Sequence, residues 1–337
     1  MKLQVAFMGF RHGHILGLYN ALLKKSEVEI VAACEEHPET RAALKEAGSV
    51  NFTHDNFENM MREVNCDILA TGDYYGRRGS ILIEALKRGK HVISDKPICT
   101  SLDELDQIEK LSKDKRLAVG CQLDQRSSGI MAALRRVIRA GEIGEIHAIA
   151  FGGQHPLNYA ARPGWYFENG KHGGTINDIA IHAFNTIPWL TGLRFVRIDA
   201  ARNWNARLKE VPHFKDAAQI MLTMDNGCGV LGDVSYLLPD SFGYGHPFYW
   251  RFTFWGADGV IEALKDSAII YRNGEKEPRV LQPDEKTNES YLESFLRDVQ
   301  GKCLPDDLAT GEVISSARNA LLAQKAADEA LHDVALA

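Results

Sequence analysis

The sequence VAFMGFRHGH, residues 5–14, decides the fold of the first part of the chain. Its apolar start predicts a buried β-strand, and a helical pattern follows the glycines from Ile15 to Lys25. Ser101, three residues before Glu104, predicts the N-cap of a later helix over 102–113. Short apolar strands alternate with helices up to residue 122, with strands predicted at 3–8, 28–34, 50–54, 67–71, 91–95 and 117–122. Such strands predict a parallel sheet covered by helices on both faces. We therefore expect a doubly wound α/β domain over residues 1–122.

The pattern changes after residue 122, and a chain of 337 residues is longer than one hydrophobic core usually supports. Helices are predicted at 128–140, up to about 190, at 289–300 and at 310–331. Between them lie long β-type runs separated by Asp-Gly and Asn-Gly turns, which favour antiparallel hairpins. We expect residues 123–337 to form an α+β domain with a large, open, mostly antiparallel sheet, whose last helix can pack back on the first domain.

Composition narrows the function classes. The net charge of -6 argues against a nucleic-acid surface, which needs a basic stripe to displace counterions from phosphates. The six cysteines form no Cys-x-x-Cys pair, so neither a zinc knuckle nor a redox motif is predicted. No apolar run is long enough to span a membrane, and the N-terminus has no signal-peptide core. We expect a cytoplasmic protein without a nucleic-acid or membrane partner.

The glycine turn at residues 9–13 is a candidate dinucleotide loop. Such loops need a tight turn after a strand and a helix N-terminus facing the phosphates, which Gly9, Gly13 and the following helix can supply. Arg11 stands where a glycine is usual, although its guanidinium could also lie near a phosphate. Glu35, at the end of the second strand, could accept the ribose hydroxyls of NAD and repel the 2′-phosphate of NADP. An ordinary βα connection and a solvated turn at Glu35 remain the alternatives.

Three further residues suggest chemistry. Lys96 follows a predicted central strand, at the sheet edge where ligands of parallel sheets bind, or it is a surface charge. Asp178 and His182 are four residues apart on a predicted helix, so they share a face. A carboxylate that orients an imidazole makes it a better base for an alcohol proton. A surface ion pair is the alternative, although the neighbouring helix residues are apolar.

Four segments, in the same order along the chain, resemble the Gfo/Idh/MocA oxidoreductases, relatives of glucose-fructose oxidoreductase and inositol 2-dehydrogenase. The segment ALKRGKHVISDKPICTSLDEL resembles the family's Glu-Lys-Pro block, with Asp95 in place of the usual glutamate. The segment GGTINDIAIHAFNTIPWLTG resembles its helix with Asp-x-x-x-His. IRAGEIGEIHAI, residues 138–149, and TGEVISSARNALLAQKAADE, residues 310–329, resemble the entry to the second domain and the closing helix.

The resemblance implies an NAD(P)-dependent oxidoreductase that acts on CH-OH groups and has Lys96, Asp178 and His182 as its catalytic set, between the two domains. His182, oriented by Asp178, would take the hydroxyl proton while hydride goes to the nicotinamide, and Lys96 would stabilise the developing alkoxide without a metal. The expected cofactor-binding residues are Gly9, Phe10, Arg11, His12, Gly13, Glu35, Thr71, Asp73, Lys96 and Pro97. Arg11 and the segment TGDYYGRR, residues 71–78, depart from the family pattern.

A sugar, a cyclic polyol or a sugar derivative is the expected substrate, because aromatic rings beside polar groups suit its apolar ring face and hydroxyl edges. The expected substrate-binding residues are Lys96, Arg126, Trp165, Tyr166, Asp178, His182, Tyr244 and His246. Trp165 and Tyr166 could instead close a loop against the sheet.

Two other functions and an assembly state are open at this stage. The enzyme could retain NAD and carry out a redox-neutral elimination, epimerisation or glycoside cleavage, or the chain could be a non-catalytic ligand-binding regulator. The resemblance also implies a homodimer or homotetramer formed through the C-terminal sheet. In YWRFTFW, residues 249–255, both faces of the strand carry large aromatic residues, so both are expected to pack.

Overall fold

The computed structural model describes residues 2–284 and 290–336. It divides into two compact units. The first unit comprises Met1–Leu123, Pro163–Gly173 and Tyr291–Ser315, and the second comprises Asp124–Arg162, Gly174–Ser290 and Ser316–Ala337. Two segments from the second part of the sequence therefore fold with the first. No helix in the described part of the chain has both the length and the apolar character that a membrane crossing requires.

The first unit contains a five-stranded parallel sheet with the order β2-β1-β3-β4-β5. Its strands are β1 (Leu3–Met8), β2 (Val28–Cys34), β3 (Ile68–Thr71), β4 (His91–Asp95) and β5 (Val119–Gln122). Its helices are α1 (Ile15–Leu23), α2 (Pro38–Glu46), α3 (Phe57–Glu63), α4 (Tyr75–Lys87) and α5 (Leu102–Lys115). This confirms the predicted parallel α/β fold. The Ser101 side chain caps α5 as expected, accepting from the Glu104 amide at 3.2 Å.

The second unit contains a nine-stranded sheet with the order β13-β12-β11-β10-β6-β9-β8-β7-β14, antiparallel except for the β6–β9 pair. Its strands are β6 (Ile146–Pro156), β7 (Phe195–Trp204), β8 (Ala217–Met224), β9 (Gly229–Leu238), β10 (Trp250–Gly256), β11 (Gly259–Leu264), β12 (Ser267–Arg272), β13 (Arg279–Leu281) and β14 (His332–Ala335). The remaining helices are α6 (Gly129–Arg139), α7 (Ile181–Thr191), α8 (Tyr291–Val299) and α9 (Thr310–Glu329). The predicted large, mostly antiparallel sheet is confirmed.

The helix α8 shows why a late segment of the chain belongs to the first unit. Phe295 and Leu296 of this helix are buried in the same apolar cluster as Phe7 of β1 and Ile93 of β4. A Cβ added at Gly120 of β5 would lie only 2.6 Å from the Phe295 ring. The strand therefore carries a glycine where the aromatic ring packs directly on the backbone.

One local prediction was wrong: residues 50–54 form no strand, since only an isolated bridge joins Cys34 and His54. The helix predicted around Asp178 is present, but it begins with a π-helical turn, Ile176–Ala180, before α7. In β10, Phe252 and Phe254 are buried and Trp255 is 42% exposed, so packing of the face that carries Trp255 stays a prediction.

The turn after β1 requires its first glycine. Gly9 has φ +79°, a conformation that L side chains rarely adopt, and a Cβ there would lie 2.6 Å from the Cβ of Asp73. Its amide donates to the carbonyl of Cys34 at 2.9 Å. Gly13, in contrast, has no positive φ, and a Cβ there would meet nothing within 4 Å. Gly9 therefore fixes the path of the turn, whereas the backbone at Gly13 accepts a side chain.

We predict that Gly9→Ala lowers the free energy of unfolding by at least about 2 kcal/mol, because backbone strain and the contact with Asp73 add. Gly13→Ala is the matched control and should change it by less than about 1 kcal/mol. Urea unfolding followed by circular dichroism measures both. Equal effects of the two substitutions would show that the positive φ at Gly9 is not the constraint.

Candidate functional site

The turn after β1 is anchored by side chains from other parts of the first unit. The amide of Phe10 donates to the Glu35 carboxylate, whose other oxygen accepts from the amide of His37 at 2.7 Å. The indole Nε1 of Trp165 donates to the carbonyl of Arg11 at 3.1 Å. Both anchors are almost fully buried, with Glu35 1% and Trp165 2% exposed. The two side chains that were expected to face ligands thus hold the loop itself.

His12 lies at the centre of a buried hydrogen-bonded chain. Its Nδ1 contacts the Asp95 carboxylate within hydrogen-bonding distance, and its Nε2 lies 2.9 Å from the hydroxyl of Tyr166. The Tyr166 hydroxyl lies in turn 2.6 Å from that of Tyr75. Burial lowers the pKa of His12 to about 4, although Asp95 opposes the shift, so the imidazole is neutral at physiological pH. The chain links the β1 turn to the end of β4 and to the segment Pro163–Gly173.

Arg78 is the buried cation that organises the turn after β4. It is 0% exposed, and its Nη1 donates to the carbonyls of Asp95, Lys96 and Pro97 at 3.0, 2.6 and 3.1 Å. Its Nε donates to the carbonyl of Asp73 at 2.8 Å, and its Nη2 to Asp95 Oδ2 at 3.0 Å. Burial alone would raise the pKa of Asp95, but His12 and Arg78 hold it well below its usual range. Asp95 is therefore a buried, ionised carboxylate.

This turn carries Lys96, which is only 4% exposed. Its Nζ lies 6.0 Å from the centroid of the Tyr75 ring. The Lys96-Pro97 peptide is cis. Thr71 and Asp73, at the end of β3, are fully buried, and the Asp73 carboxylate accepts from the amide of Tyr74 at 2.7 Å. The structure thus places Lys96, Pro97, Thr71 and Asp73 at the carboxyl ends of adjacent parallel strands, where ligands of such sheets bind.

Arginines compensate the acidic end of β2, and one of them, Arg41, donates to the carbonyl of Glu35 at 2.5 Å. Glu36 accepts from the amide of Phe57 at 2.7 Å and pairs with Arg77, which also donates to Asp73 at 3.0 Å. Burial raises the pKa of Glu35, against the two amides that donate to it. Burial opposes ionisation of Glu36 as well, but the Phe57 amide and Arg77 lower its pKa. Arg77 is therefore shared between two carboxylates and is not a free partner for an anion.

In the second unit, Asp178 and His182 lie at the start of α7. Asp178, in the π-helical turn, is 2% exposed, and its carboxylate accepts a hydrogen bond from the hydroxyl of Tyr236 on β9. His182 is 8% exposed, and its ring packs edge-on against Trp250 of β10 at 5.6 Å. The turn begins where Gln324 of α9 accepts from the amide of Ile176 at 2.9 Å. Both residues are thus held by strands and helices of one unit.

Each of the other predicted substrate residues of the second unit has its own contacts. Arg126 is 4% exposed and donates to the side chain of Asn185 at 2.9 Å. Tyr244 is 43% exposed, and its ring packs on His155 at 5.9 Å. His246 accepts from the amide of Phe248 at 3.1 Å and caps a short turn. Trp165 and Tyr166, stacked at 4.3 Å, belong to the first unit.

Three residues with evident roles were missing from the sequence prediction: Arg78, Tyr75 and Tyr236. Arg78 and Tyr75 lie in the segment TGDYYGRR, which had been noted only as a departure from a family pattern. Two consecutive arginines in a helix usually face solvent, so nothing local indicates that Arg78 is buried. Tyr236 occurs in an apolar β run, where its hydroxyl gives no signal of its distant partner Asp178.

Comparison with known proteins agrees with these two units. Residues 3–122 match the family described as "Oxidoreductase family, NAD-binding Rossmann fold", and residues 131–262 match the "GFO/IDH/MocA C-terminal domain". A levoglucosan dehydrogenase from Pseudarthrobacter phenanthrenivorans is 26% identical, over 59% of this chain and 51% of its own length. An inositol 2-dehydrogenase from Corynebacterium glutamicum is 28% identical, over 49% of this chain and 46% of its own. The match thus spans about half of each of these relatives.

Solved structures show the same fold over the full length. The inositol dehydrogenase homolog from Azotobacter vinelandii, complexed with NAD+, superposes with a TM-score of 0.78 at 16% sequence identity, covering 99% of this chain and 97% of that one. At this identity the likeness establishes the fold. Together, the two family matches cover most of the sequence: the chain belongs to the Gfo/Idh/MocA oxidoreductase family, and its residues 3–122 are that family's NAD-binding Rossmann domain.

Proposed function

We propose that the protein is an NAD-dependent dehydrogenase that oxidises a secondary hydroxyl of a sugar, a cyclic polyol or a sugar derivative. The observation that carries this proposal is the buried Asp178, held by Tyr236 in the helical segment that also contains His182. The names of the two dehydrogenases above, which act on levoglucosan and inositol, support the substrate class. Aromatic side chains near His182, such as Trp250, suit the apolar face of a sugar ring.

The residues of the first unit fit a dinucleotide at the turn. Gly9 supplies the tight turn, and α1 begins directly after the loop, so its N-terminus is available to phosphates. In a G-x-G-x-x-G pattern that starts at Gly9, the second and third glycines are replaced by Arg11 and His14. We propose Gly9, Phe10, Arg11, His12, Gly13, Glu35, Thr71, Asp73, Lys96 and Pro97 as the cofactor-binding residues. The bound nicotinamide accepts hydride from the substrate carbon.

NAD is the proposed cofactor rather than NADP. The end of β2 carries Glu35 and Glu36, and a 2′-phosphate beside them would meet like charge. Arg77 already pairs with Glu36 and Asp73, and Arg41 already donates to the backbone carbonyl of Glu35. A 2′-phosphate at the end of β2 would therefore have to displace an existing acceptor from one of these arginines to gain a cation.

The proposed catalytic residues are Lys96, Asp178 and His182. His182 takes the proton of the substrate hydroxyl, and Asp178 orients its ring and stabilises the imidazolium. The ammonium of Lys96 donates a hydrogen bond to the oxygen as negative charge develops on it. The alcohol thus becomes a carbonyl, its proton going to His182 and its hydride to the cofactor. We propose as further substrate-binding residues Arg126, Trp165, Tyr166, Tyr244 and His246. Trp165 and Tyr166 have a structural role as well, because they also contact the β1 loop.

We predict that the protein oxidises a polyol or a sugar with NAD and that two single substitutions abolish this turnover. A panel of hexoses, inositols, anhydrosugars and sugar acids, followed at the NADH absorbance with NAD and with NADP, should identify a substrate oxidised preferentially with NAD. Lys96→Met and His182→Ala should each lower kcat by at least about 100-fold. Lys87→Met, on the exposed end of α4, is the control and should retain full activity. Product formation without NADH would select the redox-neutral alternative, and undiminished turnover in both variants would refute the assignment.

We also predict that Tyr236 positions Asp178. Tyr236→Phe should lower kcat about tenfold at an unchanged KM, because the carboxylate loses its fixed orientation but the substrate contacts remain. Removing the buried hydrogen bond should also lower the free energy of unfolding by about 1.5–3 kcal/mol. Tyr271→Phe removes an exposed hydroxyl from β12 and is the control for both measurements. A lower stability with unchanged kcat would restrict Tyr236 to a structural role.

A further prediction is that the chain associates with copies of itself through the open face of the nine-stranded sheet, as a homodimer or homotetramer. Met221 and Leu231 are cross-strand partners on this face, 49% and 56% exposed, and they border a hollow of about 640 Å³. An apolar surface of this kind is typical of an interface. Leu231→Asp should convert the oligomer to a monomer in light scattering. Leu23→Asp, at an equally exposed position on α1, should not, and a monomeric wild type would refute the proposal.

A further inference from the structure

The two histidines of the β1 turn face the same carboxylate. Among the residues that the structure describes, one group of three His, Cys, Asp or Glu side chains lies close enough to share a cation: His12, His14 and Asp95. Their ligand atoms all lie within 4.8 Å of one another. The two imidazole rings are 4.4 Å apart at an angle of 60°, with Nδ1 of each directed to the Asp95 carboxylate.

The two carboxylate oxygens of Asp95 have different surroundings. Oδ2 contacts His12 and accepts from Arg78 at 3.0 Å. Oδ1 is buried and has no hydrogen-bond partner among the described residues, and Nδ1 of His14 lies 3.6 Å away. That separation is too long for a hydrogen bond. It is close to the spacing of about 3.3 Å between two ligands of a tetrahedral metal ion with bonds of about 2.0–2.1 Å. A buried polar atom without a partner in a native fold calls for such an explanation.

We propose that His12, His14 and Asp95 bind a divalent transition-metal ion on the dinucleotide loop. Two imidazoles and one carboxylate suit Zn²⁺, Co²⁺ and similar borderline ions, whereas Mg²⁺ and Ca²⁺ prefer oxygen ligands alone. Three protein ligands leave at least one coordination position open, and the 59% exposure of the His14 side chain places that position towards solvent. Water or an anionic oxygen of a bound ligand can occupy it.

The surroundings of His12 match those of a metal-ligating histidine. Such a histidine usually hydrogen-bonds through its other ring nitrogen, which fixes the tautomer. Nε2 of His12 lies 2.9 Å from the hydroxyl of Tyr166, which can donate onward to Tyr75. A bound cation would replace the hydrogen bond between Nδ1 and Asp95 Oδ2 and would select the tautomer with its proton on Nε2, whose Nδ1 lone pair faces the cation. The guanidinium of Arg78 approaches Oδ2 and is also held by four backbone carbonyls, so Oδ1 remains the oxygen available to a cation.

Zn²⁺ and Co²⁺ titrations of the full-length, tag-free protein test the proposal. After treatment with EDTA and removal of nucleotide, calorimetry with ZnCl₂ should show one saturable site per chain, and CoCl₂ should give visible absorption bands that saturate at the same ratio. His14→Ala should weaken the affinity about 100-fold, while His14→Cys, which offers a thiolate ligand, should restore it to within tenfold. His147→Ala, an exposed histidine on β6, is the matched control and should bind like the wild type.

The opposite results would overturn the site. If the wild type shows no saturable binding of either ion up to about 1 mM, or if His14→Ala binds as tightly as the wild type, these side chains form only a hydrogen-bonded cluster. Binding by His14→Cys that is as weak as that of His14→Ala would also count against a ligand role for residue 14. Because the titration uses protein without nucleotide and measures no turnover, its failure would leave the proposed dehydrogenase untouched.

Discussion

The structure of the first unit depends on one buried guanidinium. Arg78 carries a permanent charge at a fully buried position, which is tolerable only if every donor finds an acceptor. It meets that condition by collecting the carbonyls that follow β3 and β4 together with the carboxylate of Asp95. The turn that carries Lys96 is thereby fixed to the end of a neighbouring strand. Breaking such a set would leave several polar groups buried without partners, so the turn has little freedom to move.

Hydrogen bonds from buried side chains to the backbone also hold the β1 turn. Glu35 and Trp165 are residue types that often contact ligands, yet here their polar atoms hold the backbone of Phe10 and Arg11. Gly9 has a positive φ and Arg11 stands where a glycine is usual, so the surroundings have to hold this loop in one path. Side chains from β2 and from the segment Pro163–Gly173 supply that restraint. Glu35 and Trp165 thus restrain the loop in addition to the ligand-binding roles proposed for them.

The sequence predicts the helices and strands correctly where a local pattern of residues determines them. Apolar runs identified β1 and β4, and Ser101 marked the start of α5, since strand burial and helix capping act over a few residues. Residues 50–54 have β-type composition but find only one bridging partner, which depends on distant β2. The π-helical turn at Asp178 cannot be predicted from local periodicity, because residues far along the chain hold it. Gln324 accepts from the amide of Ile176, and Tyr236 donates to the carboxylate of Asp178. Burial of Arg78 is likewise decided by tertiary contacts.

Two features that are far apart in the sequence are one contact in the structure. Aspartate ends β4 at position 95, and histidines stand in the β1 turn at 12 and 14, where Asp95 meets both rings. A glutamate there would extend its carboxylate by one methylene, about 1.5 Å, into the space of the His12 ring. The shorter acid and the bulkier loop therefore fit as a set. Asp95→Glu is thus not a conservative exchange in this chain, because the longer side chain would overlap the His12 ring that Asp95 contacts.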